Sequence, residues 1–383
     1  MTMNNADIKG HVAPGFETVA DVFAQNFMND GELGAGFSVY RDGECCVDLI
    51  GGWADRKRST PWTPETLVPV YSTTKGIAAL VLGGLLQENT ADGYETPVSA
   101  IWPEFSAKGK DAITIGQIVS HQAGLPGFVA KIDPDLWLDP PACATALARE
   151  APLWTPGTAH GYHPLTWGYL VGEICRRLDP AGRTLGETLS ATITHTHSNA
   201  PEQDIIDFWI GLPESEHHRC ADIQRPKALP NLGEINPATR TAFLEKWSAP
   251  NRGGAIWREI EIPSANGHGT AKSVAQLYGA YANEGAIGKS QVTLTNDMIR
   301  PRTHGQDLVL PFETSFAAGI MLNSHGLFGP NPTTLGHSGW GGSMAIADSD
   351  IGLSCGYVMN KQSNVLVGDP RAVRLVNAVY DCL

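Results

Sequence analysis

Apolar and polar residues follow two different periods along this chain. After Pro14-Gly15, the apolar residues Phe16, Val19, Val22, Phe23 and Phe27 recur at helical spacing and share one face, which predicts an amphipathic helix. Two β-like runs follow, Gly36 to Tyr40 and Cys45 to Ile50. They flank the polar stretch Arg41-Asp42-Gly43-Glu44, a hairpin signal. A second β region lies near the other end, where Met344 to Ala347 and Ile351 to Met359 are separated by Asp348-Ser349-Asp350. A closing helix from Arg371 to Tyr380 buries Val373, Val376, Val379 and Tyr380.

From about residue 76 to 250 the patterns are mostly helical, broken by loops such as Pro126-Gly127 and Trp154-Thr155-Pro156-Gly157. One predicted helix runs from Thr166 to Arg177, with Trp167, Leu170, Val171 and Ile174 on one face. Another runs from Ala271 to Asn283, with Thr270 as its N-cap. Strands at both ends and helices between predict an α+β fold. One antiparallel sheet, flanked by helices, would be built from residues 1–75 and 250–383, with a mainly helical lobe, residues 76–249, inserted between them. The cleft between two such lobes is the expected place for a small molecule.

Composition narrows the function. With 42% hydrophobic and only 17% charged residues, the chain can bury a large core. Its 27 Lys+Arg against 40 Asp+Glu give a formal charge of −13, which disfavours nucleic acid and anionic membrane surfaces as partners. The start, Met1-Thr2-Met3-Asn4-Asn5-Ala6-Asp7, shows no basic segment followed by an apolar one, so no secretory signal is expected. The longest apolar stretch, Gly76 to Leu86, is about half a membrane span. Seven scattered cysteines do not form a disulfide framework, and reduced thiols in the cytoplasm are the expectation.

The sharpest chemical feature is Tyr71-Ser72-Thr73-Thr74-Lys75-Gly76. Ser72 and Lys75 are three apart, which on a helix places both on one face. A serine hydroxyl is a poor nucleophile until a neighbouring base takes its proton, and a desolvated lysine can be neutral enough to do so. Spacing alone says little. With 20 Ser and 11 Lys, chance supplies about 0.6 such pairs in a chain of this length. The apolar run that follows carries more weight, because a lysine facing into a buried helix is costly unless it has a function. Tyr162 stands at a loop-to-helix junction, where the bland alternative is a packed core residue. Leu335-Gly336-His337-Ser338-Gly339-Trp340-Gly341-Gly342-Ser343 leads into a strand, and its glycines allow close approach of a ligand or another backbone.

Taken in order, Ser72-Thr73-Thr74-Lys75, Tyr162 and His337-Ser338-Gly339 resemble the three motifs of the serine β-lactamase and penicillin-binding-protein superfamily. The likeness is strongest to its class C-like members and the family VIII carboxylesterases, and it spans roughly residues 15 to 382. The resemblance implies a β-lactamase/transpeptidase-like fold in which Ser72 is the acylated nucleophile, Lys75 its base and Tyr162 the proton relay. His337-Ser338-Gly339 would stand for the strand motif, and the backbone N–H groups of Ser72 and Trp340 would form the oxyanion hole, with Ser343 the alternative second donor. His163, Ser338, Gly339 and Trp340 are expected to contact substrate, and His268, in a Gly-rich loop before the helix from Ala271, either lines the cleft or stabilises its loop.

Two positions depart from the pattern. Pro164 stands where β-lactamases carry an asparagine, and His337 where they carry a lysine that pairs with the substrate carboxylate. Both changes favour neutral esters. The expected activity is hydrolysis of short-chain carboxylic esters. A β-lactamase, a D-alanyl peptidase, an acyltransferase or a catalytically dead binding protein remain the alternatives on the same fold. No cofactor is expected, and His195, His197, His217 and His218 lack a metal-site spacing. A small-molecule ester is the expected partner. The sequence does not define the oligomeric state.

Overall fold

The computed structural model describes residues 7–193, 205–248, 254–287, 290–291 and 294–383. Its centre is a nine-stranded antiparallel sheet. In spatial order the strands are Lys9–Val12, Glu44–Gly52, Gly34–Arg41, Leu353–Met359, Met344–Asp348, Leu335–Ser338, Met321–Leu322, Glu313–Phe316 and Thr303–Gln306. The two ends of the chain meet inside this sheet, where Gly34–Arg41 pairs with Leu353–Met359 and Ser38 faces Gly356. The predicted hairpin closes through Asp42 and Gly43, whose φ angles of 51° and 81° suit a two-residue turn that follows the sheet's twist.

Alternation along Gly34–Arg41 sorts its side chains between two coverings. Ala35, Phe37 and Val39 join a core with the helices Glu17–Asn29 and Pro370–Tyr380. On the opposite face lies the helix Ala271–Ala282, capped as predicted by Thr270, whose side chain accepts the Ser273 N–H. A Cβ on Gly356 would stand 2.6 Å from the Ala271 carbonyl, so its absence lets this helix sit directly on the sheet.

Between Gly52 and Thr303 most of the described elements are helical, with Thr74–Asn89, Thr166–Leu178, Ala271–Ala282, Pro140–Arg149 and Leu185–Ile193 as the longer helices. The helical reading of residues 76–250 omitted the strand Phe208–Ile210, which with Val68–Pro69 and Gly267–Gly269 forms a small three-stranded sheet. A three-residue apolar run such as Phe208-Trp209-Ile210 is too short for its period to declare a strand. Thr74–Asn89 is buried along twelve of its sixteen residues, so it has no polar face to show. Two tyrosines of Ala271–Ala282 hold its start, the Tyr278 hydroxyl on the Thr73 carbonyl and the Tyr281 hydroxyl on that of Gly76. No described helix is long and apolar enough to cross a membrane.

Candidate active site

Ser72 lies one step earlier than a regular helix would place it, in the 3₁₀ turn Tyr71–Thr73 that feeds Thr74–Asn89. That turn brings residues three apart nearly into line, so the serine and lysine still meet. Tyr71 adopts φ 48°, a strained conformation for a bulky residue, at the entry to this turn. The Lys75 side chain is fully buried. Its Nζ lies 3.4 Å from Ser72 Oγ and donates to the carbonyls of Pro164 at 2.9 Å and Ser264 at 3.0 Å. Among the described residues no carboxylate lies within ion-pair distance of Lys75. Burial therefore holds the amine well below its usual range.

Tyr162 faces the same point from another segment, with Lys75 Nζ 4.7 Å from its ring centre. Burial raises the phenol far above its ordinary value, an interaction with the Ser72 side chain opposes this, and the Asp307 carboxylate adds to the rise. The phenol is thus a donor at neutral pH. Its backbone N–H donates to Asp307 Oδ1 at 2.9 Å, and the same oxygen accepts from Val309 at 2.8 Å and Leu310 at 2.9 Å. Behind the ring, Phe316 stacks at 11°.

The third wall is the strand Leu335–Ser338 and the turn after it. Gly341 has φ 89° and the Gly342 N–H donates to the Gly339 carbonyl at 3.1 Å, which closes a tight turn carrying Trp340. A Cβ on Gly339 would stand 2.2 Å from the Val70 carbonyl, so this glycine is what allows the strand to abut the Ser72 segment. Ser343 turns inward, its hydroxyl donating to the Val70 carbonyl at 2.7 Å. His337 is 2% exposed; its Nδ1 is 2.9 Å from the Ser338 carbonyl, and its Nε2 has no partner. Burial, reinforced by Lys75, pushes its pKa down to about 3.

Ser72, Tyr162, His337, Ser338 and Trp340 line one cleft, together with Pro164, Leu165, Phe243, Leu310, Met321 and Val367. It encloses about 570 Å³ including its open mouth, and among the described residues no carboxylate, lysine or arginine lines it. Three residues considered for substrate contact lie elsewhere. His163 is fully buried, with Nε2 accepting the Leu125 N–H at 2.9 Å and Nδ1 on the Gly161 carbonyl, so both nitrogens hold loops together. His268 sits inside the three-stranded sheet against Trp257 and bonds the Asn266 carbonyl, away from the cleft. Gly339 is outside the cleft lining and packs on the Val70 carbonyl.

His217 and His218 bond backbone carbonyls, and among the described residues no cluster could hold a metal. His195 and His197 lie outside the described residues. The sequence reading missed the Pro164 and Ser264 carbonyls and Asp307. A carbonyl carries no sequence signal, and Asp307 is one acid among many until folding buries it.

The family model described as Beta-lactamase matches residues 19–378. The chain is 30% identical over 372 residues to "Esterase/beta-lactamase LipL" of Mycobacterium tuberculosis, covering 94% of this chain and 84% of that protein. A penicillin-binding protein homologue from Caulobacter crescentus superposes with a TM-score of 0.91 at 49% identity, over 98% of this chain and 100% of that one. A family VIII carboxylesterase gives 0.88 at 38% identity, over 98% and 100%.

Proposed function

The chain belongs to the beta-lactamase family and is a hydrolase of that superfamily with esterase neighbours; from that premise we propose that it hydrolyses neutral short-chain carboxylic esters through an acyl-enzyme on Ser72. The observation that carries the reading is that Lys75 is buried beside Ser72 without a counter-charge, which favours its neutral form. A neutral amine has two N–H donors and one lone pair. With the Pro164 and Ser264 carbonyls on the two donors, its lone pair can take the Ser72 proton.

Ser72 Oγ attacks the ester carbonyl carbon as its proton passes to Lys75. The oxyanion is held by the backbone N–H groups of Ser72 and Trp340; the inward-turned Ser343 and the cleft-lining Trp340 favour this pair. Tyr162 protonates the departing alkoxide and recovers its proton from Lys75. Water then attacks the acyl-enzyme with the same groups acting in reverse.

A cleft without a fixed charge, a neutral His337 and an imino acid at Pro164 support an uncharged substrate. The name of the Mycobacterium tuberculosis relative favours β-lactam hydrolysis as a second reading. The seven cysteines are free thiols, as a reducing cytoplasm would keep them, and fractionation of cells tests that location. The decisive experiment is a fluorophosphonate probe with peptide mapping. It is expected to label Ser72, and Ser72→Ala is expected to lose both label and ester turnover. Label on another residue overturns the mechanism.

A further inference from the structure

Met321 and Val367 border the catalytic cleft on one side and a second apolar compartment on the other, the latter walled by Phe312, Leu322, Leu327 and Phe328. The two spaces are neighbours sharing a partition. Met321 lies opposite Phe316 in the sheet, and Phe316 is the ring that stacks on Tyr162. In the proposed reaction the leaving oxygen sits at the Tyr162 hydroxyl, and Met321 lines the same cleft as that tyrosine. A methionine side chain is unbranched and adapts its shape readily, which suits a partition that an occupant pushes aside. Phe328 is anchored beneath the sheet against Gly336, where a Cβ would stand 2.9 Å from the ring, so the far wall is fixed.

We propose that this compartment is the far half of the alcohol subsite, and that the preferred substrates are esters whose alcohol carries an apolar chain or ring long enough to pass Met321. The acyl group, on the Trp340 and Phe243 side, stays short. This inference rests on the ester-hydrolase reading above, and it adds which end of the ester is large.

The test uses two ester series on the full-length protein: acetates of alcohols graded from methyl to decyl, and ethyl esters of acids graded over the same lengths. For the native protein kcat/KM is expected to rise along the alcohol series and fall along the acid series. Ser324 is exposed on the rim of the compartment and outside the cleft, so Ser324→Trp fills the space from outside the core. That variant is expected to lose at least about tenfold on decyl acetate, the scale of lost apolar contact, with methyl acetate unchanged. Met321→Ala, which opens the partition, is expected to favour long alcohols further. Equal responses in the two series, or none in the alcohol series, overturn the subsite while turnover of short acetates and labelling of Ser72 keep the ester reading standing. Failure to turn over any ester of either series overturns both.

Discussion

Among the buried cationic side chains, Arg371 and Lys75 follow opposite rules. Arg371 is surrounded by charge: its guanidinium bonds both oxygens of Glu32 at 2.9 Å and both of Asp369 at 2.9 and 3.0 Å. Lys75 is surrounded by neutral oxygen. The difference follows from what each group can do. A guanidinium cannot shed its proton in a protein, so burying it demands carboxylates. An amine can, so burying it without a counter-charge turns it into a base. Arg371 serves the site from behind, because its Nη2 also reaches the Gly341 carbonyl in the turn that carries Trp340. Arg371 therefore fixes the frame, and Lys75 is the one to which the proposed mechanism gives the proton.

Lys75→Met breaks this comparison at its functional end. The methionine fills the same slot without a polar head, so kcat on a nitrophenyl ester should fall by about 10²–10⁴. Denaturant unfolding at neutral pH should show a smaller loss than Arg371→Met, because only the Pro164 and Ser264 carbonyls, and no counter-charge, are left behind. A loss as large as that of Arg371→Met would mean that the amine has a structural role like that of Arg371.

Arg371→Met should do the reverse. It leaves Glu32 and Asp369 buried without their partner, a loss of about 3–5 kcal/mol in unfolding free energy. Changing Glu32→Gln and Asp369→Asn in the same chain should restore part of that loss. If the triple variant is no more stable than Arg371→Met, packing and not charge explains the site.

How much of this was legible beforehand differs between the two regions as well. The Asp42-Gly43 hairpin, the Thr270 cap and the terminal helices follow from local patterns and stand close to where those patterns placed them. Ser72, Lys75, Tyr162 and His337 could be singled out because the order of three motifs is specific, and the fold brings them to one cleft. The Arg371 network was invisible. Glu32 and Arg371 are 339 residues apart, and nothing local marks either as buried. His163 turns into the loops for the same reason, since proximity to a motif does not decide which way a ring turns, and His268 takes the loop-holding role of its two expected ones. Distance along the chain and burial are the properties that single-sequence patterns do not carry.

His337→Lys sharpens the comparison by adding a cation at the edge of the cleft. The imidazole is neutral throughout the working range, with Nε2 unpartnered beside the cleft. A lysine there would have no carboxylate of its own until a substrate supplied one. Turnover of a cephalosporin, an anion, should rise about tenfold or more in kcat/KM through one charge-assisted hydrogen bond, while neutral esters lose. Unchanged cephalosporin turnover would mean that charge at this position does not set substrate class.

The smallest effect is also the most direct measure of how the two cations differ. In the unfolded chain Lys75 titrates near 10.5, and burial lowers its folded value well below that. Between the two values the unfolded state holds one proton more than the folded state, so stability rises with pH, by about 1.4 kcal/mol per unit. Below the folded value the slope vanishes, because both states are protonated and the fold carries a lone buried cation. Arg371 keeps its proton in both states and contributes no slope. The buried histidines His163 and His337, held near 3, add their own rise at lower pH and are neutral in both states above about pH 7. Unfolding free energies measured from pH 7 to 9 for the native protein and Lys75→Met should therefore separate by a difference that grows with pH in favour of the native chain. Parallel curves would place the Lys75 amine outside that window, protonated in both states, and remove the lone pair on which the proposed attack by Ser72 depends.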